Sequence, residues 1–425
     1  MIKIIDAEKV NKSEIFARMS NAPDVSAPVA EIISAVKNNG DSALKEYTLK
    51  FDKVSLNSFR VSEEEILEAR KKAGAKFIKI MEEAASNIRA YHVKQIRKGY
   101  EIRKKNGTVI GQKIVPVERA GIYVPGGTAA YPSTVLMDSI PAKIAGCEKV
   151  VMVTPPLKSG KVSPYILAAA SVAGIDEIYK VGGAQAIAAL AYGTESIPKV
   201  DVIAGPGNAY VAEAKKQVYG AVSIDMIAGP SEILVVADAL SSPVALAADM
   251  LSQAEHDRNA SAVLITDSSA LASAVSEQIE IQLKQLPREE IARVSIDNNG
   301  KIIIAKSIKE AISISNEIAP EHLELVLDNP FDYLPLVKNA GSVFMGRYCP
   351  EAVGDYFAGP NHTLPTGGTA KYSSALGVDS FIKKIQYTYY SEQQLSRSAK
   401  KIAYFAEKEG LKAHAKSALI RTEKK

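Results

Sequence analysis

Cysteine and histidine are scarce in this chain, whose 425 residues include two cysteines and five histidines. Cys147 and Cys349 are far apart and neither lies in a Cys-x-x-Cys spacing, which argues against a disulfide framework or a structural zinc knuckle. No apolar run approaches the roughly 20 residues needed to span a bilayer. The first eight residues meet charge too early for a signal peptide. We therefore expect a cytoplasmic protein.

The chain also lacks an excess of one charge. Its 52 basic and 48 acidic residues give a net charge of +4, too balanced to favour a nucleic-acid binder. The basic stretch at 94–105 is more typical of a solvated helix end and strand than of a phosphate-binding surface. Neither Gly-x-Gly-x-x-Gly nor Gly-x-x-x-x-Gly-Lys-Ser/Thr occurs. These absences argue against a standard dinucleotide fingerprint and a P-loop, but not against a nucleotide bound by other glycine turns.

The patterns that are present predict an α/β protein. At this length we expect two or three domains. The first hundred residues have a helical pattern, including a capping box at Ser62–Glu65. Asn106-Gly107, between 100–103 and 109–117, predicts a hairpin with a primed turn. After about Ser380 the pattern is helical and charged to the end, including 391–409 and 413–421.

From about Gly121, short apolar runs alternate with alanine-rich helical stretches. This order predicts parallel sheets covered on both faces. The strand-like runs are 150–153, 178–181, 200–204, 224–226, 233–237, 262–266, 302–305, 323–327 and 342–345, and the helical stretches are 133–145, 163–173, 184–192 and 209–219. Glycine and proline mark several strand ends, and ligands of open α/β sheets bind at the carboxyl ends of strands.

Two of the histidines follow polar or acidic neighbours in informative patterns. If a helix runs from about Val244 to His256, Gln253 and His256 lie on one face and could contribute to a divalent-cation site; a histidine closing a helix C-terminus is the simpler interpretation. Glu321 and His322 are adjacent and could handle two different protons, although a surface pair at the start of a strand stays open.

The remaining histidines are less specific. Asp355 precedes His362 in a glycine-flanked loop, where it could complete a metal site with His256 or simply be a turn residue. Glu409 and His414 flank the helix-breaking Gly410, and a solvated terminal helix is the favoured local interpretation. His92 follows Tyr91 on an early helix and is expected to be structural.

Together these segments resemble the histidinol dehydrogenase family over nearly the whole chain. The motifs that carry the resemblance are Asn39–Leu44, Phe51-Asp52, Gly121–Gly127, Val181–Ala186, Gly205–Asn208, Ala228–Glu232, the Gln253/His256 and Glu321-His322 segments, and Gly354-Asp355 through Thr369. The resemblance implies a zinc-dependent, four-electron oxidation of L-histidinol to L-histidine with NAD, through an aldehyde that stays bound.

The resemblance also implies the roles of individual residues. Zinc ligands would be Gln253, His256, Asp355 and His414, and the acid–base pair would be Glu321 and His322. The substrate-contacting positions would be Ser231, Gln253, His256, His322, Asp355, Glu409 and His414, and the cofactor-contacting positions Tyr123, Gln185 and Asn208. His362 matches a histidine near the substrate whose role is open. Two departures from the family pattern are Asp257-Arg258-Asn259, where a proline or glycine is expected nearby, and Cys349, where a hydroxyl residue is more usual.

The fold implied by the resemblance has two incomplete Rossmann-like domains with parallel-rich sheets and helical terminal segments. We expect an N-terminal helical segment over 1–26, a first domain of 27–122 with 232–370, a second, cofactor-side domain over 123–231, and a helical extension over 371–425. The family is a homodimer whose C-terminal region crosses to the partner, so Glu409 and His414 would complete the neighbour's site.

Other functions remain possible at this stage. A related zinc and NAD dehydrogenase could oxidise another small polar alcohol, such as a sulfonated diol. The carboxylate of Glu409 favours histidinol, because an anionic substrate would call for arginine or lysine there. A non-redox zinc hydrolase could use the same metal site to activate water. Neither nucleic acid nor membrane is expected as a partner.

Overall fold

The structure is a computed structural model that describes residues 2–10, 15–16, 24–126 and 130–423. Most of residues 11–23 in the predicted N-terminal helical segment, and Gly127 of the first glycine motif, lie outside the described residues. The chain forms two units, Met1–Gln95 with Val117–Phe381 and Ile96–Pro116 with Ile382–Lys425. Among the described residues, no helix has the length and apolarity to cross a membrane.

The described chain contains strands and helices in alternation. The strands are β1 (Lys3–Asp6), β2 (Tyr100–Arg103), β3 (Val109–Pro116), β4 (Arg119–Tyr123), β5 (Lys149–Thr154), β6 (Glu177–Lys180), β7 (Val202–Ala204), β8 (Ser223–Ile224), β9 (Glu232–Ala237), β10 (Ser261–Thr266), β11 (Lys301–Ile304), β12 (His322–Val326), β13 (Ser342–Met345) and β14 (Ile382–Tyr389). The helices are α1 (Ser26–Tyr47), α2 (Glu63–Ala73), α3 (Ala75–His92), α4 (Pro132–Ala145), α5 (Pro164–Ala173), α6 (Gly183–Tyr192), α7 (Ala209–Val218), α8 (Pro243–Ala254), α9 (Ser269–Leu283), α10 (Glu289–Asn299), α11 (Ile308–Ile318), α12 (Glu351–Tyr356), α13 (Glu392–Lys408) and α14 (Lys412–Leu419).

The larger unit contains two parallel sheets of Rossmann-like order. One has the strand order β6-β5-β4-β7-β8 and the other β1-β11-β10-β9-β12-β13, and every strand pair in both is parallel. In each sheet the earliest strand of the βα series, β4 or β9, lies between its second and fourth strands. The strand order therefore reverses beside β4 and beside β9. The predicted α/β fold is confirmed.

Alternation along the central strands places apolar side chains on both faces of each sheet. Val151 and Val153 of β5 join one hydrophobic cluster, and Val150 and Met152 join the cluster on the opposite face. The strands of the other sheet divide in the same way between two further clusters. Because both faces are covered, each strand is a nearly continuous apolar run, which is why the sequence pattern located these strands.

The hydrophobic clusters group the N-terminal helices differently from the predicted domains. Buried residues of α1 share a cluster with β5, β6 and α6, and those of α2 and α3 share one with β4 and α4. Residues 26–92 therefore pack on the five-stranded sheet, whereas the predicted boundaries placed 27–122 with 232–370. The boundaries themselves stay a prediction.

Two local predictions of helix are wrong. Lys3–Asp6, predicted as helical, forms β1 and pairs with β11. Residues 382–389, also predicted as helical, form β14, which pairs antiparallel with β3 at the edge of a three-stranded sheet. Lysines are common on edge strands. Because Lys383 and Lys384 also fit the charged helical pattern that follows, this strand was predicted as helix.

The hairpin between β2 and β3 is confirmed, but its predicted primed turn is wrong. Gly107 donates its N–H to the Lys104 carbonyl (3.0 Å), and within this loop only Gly107 has a positive φ, of 81°. A type I′ turn would need positive φ at two successive residues. The loop instead uses one left-handed glycine after a tighter turn. The capping box is confirmed, since the Ser62 side chain accepts from the N–H of Glu65 and the Glu65 side chain accepts from the N–H of Ser62.

Candidate active site

The candidate site lies at the amino ends of strands in the six-stranded sheet. Glu232 and His322 are the first residues of the neighbouring strands β9 and β12. The sequence predicted ligand binding at the carboxyl ends of strands. For this sheet that prediction is corrected, because the candidate site lies at the amino ends. The site still lies beside the point where the strand order reverses, but at the amino ends of the strands and not at their carboxyl ends.

The carboxyl ends of the same two strands are closed by an arginine. Arg347 Nη2 lies 2.8 Å from Asp238 Oδ1, and its Nε lies 2.7 Å from Asp328 Oδ1. Its Nη1 also donates to the Val326 carbonyl at 3.3 Å. The carboxyl ends of these strands, where ligands usually bind, are therefore occupied by the chain's own side chains.

His322 is held as a neutral base with a defined tautomer. Its Nδ1 donates to the backbone carbonyl of Glu232 at 2.9 Å, which leaves Nε2 as the acceptor. Nε2 is buried with no hydrogen-bond partner among the described residues. It lies 3.6 Å from Glu351 Oε1 and 3.9 Å from Asp355 Oδ1. Burial lowers the pKa of His322, so the imidazole is neutral at pH 7.

Glu321 precedes His322 and faces the same two strands. Its Oε2 accepts the N–H of Glu232 at 2.8 Å and lies 3.6 Å from His322 Nδ1. Burial, with the nearby carboxylates of Glu232, Glu351 and Asp355 as lesser causes, raises the pKa of Glu321 well above its ordinary value. The pair follows Ala319, whose left-handed backbone (φ 53°) ends α11 and turns the chain into β12.

His322, Glu351 and Asp355 form a group suited to a metal ion. One ligand atom from each residue can be chosen so that all lie within 4.8 Å of one another. Glu351 and Asp355 are four residues apart on α12, which puts both on one face of that helix. The Gln253 amide donates to Glu351 Oε1. Burial raises the pKa values of both Glu351 and Asp355 to about 7.

Further carboxyl groups lie behind this group. Glu324 Oε1 accepts the N–H of Glu351 at 2.7 Å, while Glu324 Oε2 and Glu351 Oε2 are buried without a partner among the described residues. Burial raises the pKa of Asp249 to about 6 and that of Glu324 well above its ordinary range. Concentrated buried carboxyl groups of this kind are stabilised by a cation or remain protonated.

A cavity of about 100 Å³ opens beside these groups. It is lined by His322, Asp355, His362 and Cys349 together with mostly apolar residues, and none of its described lining residues is lysine or arginine. His362 Nδ1 lies 3.1 Å from the Asp355 carbonyl and its Nε2 lies 3.3 Å from Thr134 Oγ1. Burial lowers the pKa of His362 to about 4, so this ring is also neutral at pH 7.

The predicted cofactor residues lie at the carboxyl ends of strands in the five-stranded sheet. Tyr123 ends β4, Gln185 lies in the first turn of α6 after β6, and Asn208 caps α7 after β7. The Tyr123 hydroxyl accepts the N–H of Gly183 at 3.1 Å, and burial raises the pKa of Tyr123 to about 12. Tyr123 and Gln185 are buried, whereas Asn208 is exposed. These residues lie at the strand ends where ligand binding is expected, and their role in cofactor binding stays a prediction.

Comparisons with known proteins agree on one family. A family model described as histidinol dehydrogenase matches residues 17–422. The histidinol dehydrogenase of Clostridium acetobutylicum is 54% identical over 417 residues, covering 98% of this chain and 97% of that protein. That of Streptococcus mutans is 54% identical over 401 residues, covering 94% and 93%. The chain belongs to the histidinol dehydrogenase family.

A solved structure agrees with this membership. The crystal structure of histidinol dehydrogenase from Elizabethkingia anophelis matches with a TM-score of 0.93 and 41% identity, covering 99% of this chain and 98% of that one. The fold expected from the family resemblance, with parallel sheets and a C-terminal pair of helices, is confirmed.

Two other residues expected from the family pattern lie near the same strands. Ser231 immediately precedes Glu232 of β9. The predicted helix to His256 is too long, because α8 ends at Ala254, so Gln253 is helical and His256 follows the helix end. His256 is not in the metal-suited group, although burial lowers its pKa and His322 contributes to that shift as a nearby imidazole.

The two departures from the family pattern have structural roles. Asp257 Oδ1 accepts the N–H of Asn259 at 2.8 Å, and the Asp257 carbonyl accepts the N–H of Ala260 at 3.0 Å. These bonds make the tight turn between α8 and β10 without the expected proline or glycine. Cys349 has a free thiol and contributes to the cavity wall.

Glu409 and His414 belong to the smaller unit. Glu409 follows α13 and His414 lies on α14, and both residues are exposed. His92 is fully buried with its Nδ1 2.8 Å from Gln95 Oε1, and Gln95 Oε1 accepts the N–H of Val378 at 3.0 Å. These contacts are consistent with a structural role for His92, which stays a prediction.

Sequence reasoning missed Glu351, Glu324 and Asp249. A usable signal existed for Glu351, since Pro350-Glu351 has the composition of a helix start and places a carboxylate four residues before Asp355. Glu324 is the second residue after His322 on β12, so its side chain points to the same face. Nothing local distinguishes Asp249 within α8.

Proposed function

We propose that this chain oxidises L-histidinol to L-histidine by a zinc-dependent, four-electron reaction in which the intermediate aldehyde, L-histidinal, stays bound. The chain is an NAD-dependent oxidoreductase of histidine biosynthesis, as its family membership implies. The observation that carries the finer proposal is the buried, unpartnered Nε2 of His322 beside two carboxylates. A neutral base next to a cation-binding group suits the removal of a proton from an alcohol.

The residues present fit a divalent cation. Glu351 Oε2 is buried with no partner among the described residues and would gain one from a cation, whereas His322 Nε2 stays free to accept a proton. The proposed zinc ligands are Gln253, His256, Asp355 and His414, and Glu351 contacts the first of these directly. When bound, zinc supplies Lewis acidity and a fixed point that orients the amino alcohol. We propose that Asp355 is a zinc ligand, whichever of the neighbouring residues supply the other ligands.

The proton-handling roles follow from the acceptor positions in the site. His322 Nε2 accepts the hydroxyl proton of histidinol while the hydride leaves for NAD. Glu321 then takes a proton from the water that adds to the aldehyde. Its raised pKa makes the ionised carboxylate a stronger base than an ordinary glutamate, although less of it is ionised. After it releases the first proton to solvent, His322 accepts a second proton during the second hydride transfer, and the aldehyde stays bound in the cavity between the two steps.

Substrate and cofactor positions complete the proposal. Substrate contacts are assigned to Ser231, Gln253, His256, His322, Asp355, Glu409 and His414, and NAD contacts to Tyr123, Gln185 and Asn208. His362 lines the cavity and contacts the Asp355 backbone, which supports a positioning role for Asp355. The cavity is lined by the carboxyl group of Asp355 and by no described lysine or arginine, which favours a cationic substrate and disfavours a sulfonated diol.

The stoichiometry of the reaction tests this proposal. Purified, zinc-loaded enzyme is expected to form two NADH per histidinol consumed, measured by absorbance of the reduced nicotinamide and by chromatography of histidine. A ratio of one, or accumulation of free aldehyde, contradicts the four-electron reaction. Hydrolysis without NADH formation would instead favour the non-redox zinc hydrolase.

We also propose that the enzyme is a homodimer whose active sites are shared, with Glu409 and His414 supplied by the partner. Both residues are exposed on the smaller unit and carry the donor types that the site would need. Inactive His256→Ala and His414→Ala chains, mixed and refolded together, are expected to regain about a quarter of wild-type activity, because half of the dimers are mixed and each mixed dimer has one intact site. Mixing His256→Ala with Gln253→Ala is the control and should regain none. Activity that stays at the background of the separate chains would contradict the shared site.

A further inference from the structure

A buried ion pair holds both backbone polar groups of one residue, Gly205, in the turn after β7. The Gly205 N–H donates to Asp225 Oδ2 at 2.8 Å, and the Gly205 carbonyl accepts from Lys215 Nζ at 2.9 Å. Lys215 and Asp225 also pair with each other, and their side chains are only 2% and 1% exposed. Lys215 and Asp225 therefore form an ion pair with each other and hydrogen bonds to the backbone of Gly205.

The conformation of this turn requires such support. Gly205 has a φ of 120°, a region open to glycine, and a Cβ there would collide with the Tyr123 carbonyl. Three residues later, Asn208 Oδ1 accepts the N–H groups of Tyr210 and Val211 at 3.1 and 3.2 Å and starts α7. Lys215 projects from that same helix. The ion pair thus connects the start of the turn to the helix that Asn208 caps.

A buried ion pair is weak evidence for stability, because desolvation offsets much of its attraction and apolar residues of similar volume serve as well. A role in fixing geometry explains the arrangement better. Asp138 Oδ2 also faces Gly205, while Asp138 Oδ1 accepts from Thr363 Oγ1 at 2.6 Å, one residue from His362. The turn therefore contacts a carboxylate that also holds the loop lining the candidate active site.

We propose that Lys215 and Asp225 are positioning residues that fix the Gly205–Asn208 turn for NAD. This inference rests on the proposed function, in which Asn208 contacts NAD. Neither residue touches the dinucleotide. Lys215 differs in this way from a lysine that binds phosphate, because its ammonium is buried and already bonded to the Gly205 carbonyl and Asp225.

The test measures NAD affinity in the intact protein by titration calorimetry, so it does not depend on turnover. Asp225→Asn keeps an oxygen for the Gly205 N–H but removes the charge, and Lys215→Met keeps the stem but removes the donor. We expect each variant to bind NAD at least about tenfold more weakly, since small misplacements of a binding group produce losses of that size or more. The KM for histidinol and the zinc content should stay within about twofold of wild type.

A control pair with the same kinds of bond lies at the opposite edge of the same sheet, where Lys143 and Asp176 are less buried, at 24% and 25% exposed. Lys143 Nζ pairs with Asp176 Oδ2 at 2.6 Å, and that oxygen also accepts the N–H of Val150 at 2.7 Å. Asp176→Asn removes the same kind of bond and is expected to leave NAD affinity unchanged. Equal losses of NAD affinity in Asp176→Asn and Asp225→Asn would show a general structural effect and overturn the proposal.

Other outcomes are also decisive. If the single variants do not fold, Lys215→Met/Asp225→Leu removes both charges at once and is expected to fold with weakened NAD binding. NAD affinity within twofold of wild type in any folded variant of Lys215 or Asp225 overturns the inference. A wild-type enzyme that binds NAD but does not oxidise histidinol would refute the proposed function. The NAD affinities of the variants would still test the roles of Lys215 and Asp225. A wild-type enzyme that does not bind NAD would overturn both.

Discussion

Replacing His322 with asparagine is expected to lower kcat for histidinol oxidation by about 10²–10⁴-fold, the usual contribution of a positioned general base. The asparagine amide can still donate to the Glu232 carbonyl, as Nδ1 does now at 2.9 Å. It has no atom at the position of Nε2. The substitution therefore removes the proposed proton acceptor while keeping the contact that orients the side chain. Initial rates of NADH formation at saturating histidinol and NAD measure the effect.

The matched control is His92→Asn. His92 is as deeply buried as His322 and also makes its hydrogen bond through Nδ1, but its partner is the Gln95 side chain and not a residue of the candidate site. We expect His92→Asn to lose some stability and to retain kcat within about twofold. A His322→Asn enzyme with normal zinc content and kcat within tenfold of wild type would contradict the base assignment.

The pH profile gives the same substitution a second readout. Burial lowers the pKa of His322 from its ordinary value of 6.5, so the neutral, proton-accepting form persists to lower pH than it would in an exposed histidine. In wild type, kcat should therefore decline only below that ordinary value as His322 becomes protonated. The residual activity of His322→Asn should lack this decline. The same decline in both proteins would assign it to another group.

The fold was largely predictable because its information is local. Buried parallel strands such as β5 and β9 are short runs of valine, isoleucine and leucine between helices with alanine-rich faces, and each signal lies within ten or fifteen residues. β14 was missed because its pattern depends on its partner. Ile385, Tyr387 and Tyr389 alternate with polar residues as in a strand, but the lysines beside them are equally typical of the helices that follow.

The candidate site was predictable in part. Glu321, His322 and Asp355 carry recognisable residue types within a family pattern, and the structure brings His322 and Asp355 together. Their position at the amino ends of β9 and β12 could not be read from the sequence. The carboxyl ends of these strands are occupied by contacts among Arg347, Asp238 and Asp328, which are separated by up to 109 positions. No local pattern reports such a contact.

Glu351 shows why burial matters more than residue type. In the sequence it is one of many glutamates, and its place after a proline is shared only with Glu321, so the fold is what makes its burial evident. It is 4% exposed, accepts from Gln253 and has one carboxylate oxygen without a partner among the described residues. Burying an oxygen without a hydrogen-bond partner costs free energy, and such a cost marks a functional group. Burial is a property of the tertiary structure.

Replacing Glu351 with glutamine is expected to weaken zinc binding on the order of 10²-fold if Glu351 is a ligand, and about 10-fold if it acts through Gln253. Glutamine keeps an oxygen for the Gln253 amide but can place an NH₂ group where the unpartnered Oε2 now lies. Competition with a chromophoric chelator measures the affinity. Glu280→Gln, which breaks a partly exposed pair with Arg293 far along the chain, is the control and should bind zinc normally. Unchanged zinc affinity in Glu351→Gln would remove Glu351 from the site.

The dependence of zinc affinity on pH tests the same carboxylate in another way. Burial raises the pKa values of Glu351 and Asp355 from 4.5 and 3.8 to about 7, so both groups hold protons in the metal-free protein below pH 7. Zinc binding must release those protons, and affinity should fall as pH decreases through 7. Between pH 5.5 and 6.5 the logarithm of the wild-type binding constant should rise by nearly two per pH unit, because two protons are released. Glu351→Gln removes one titrating group and, by removing a neighbouring negative charge, also lowers the pKa of Asp355. The slope should then fall to one or less, and an undiminished slope would mean that Glu351 does not exchange its proton for the metal.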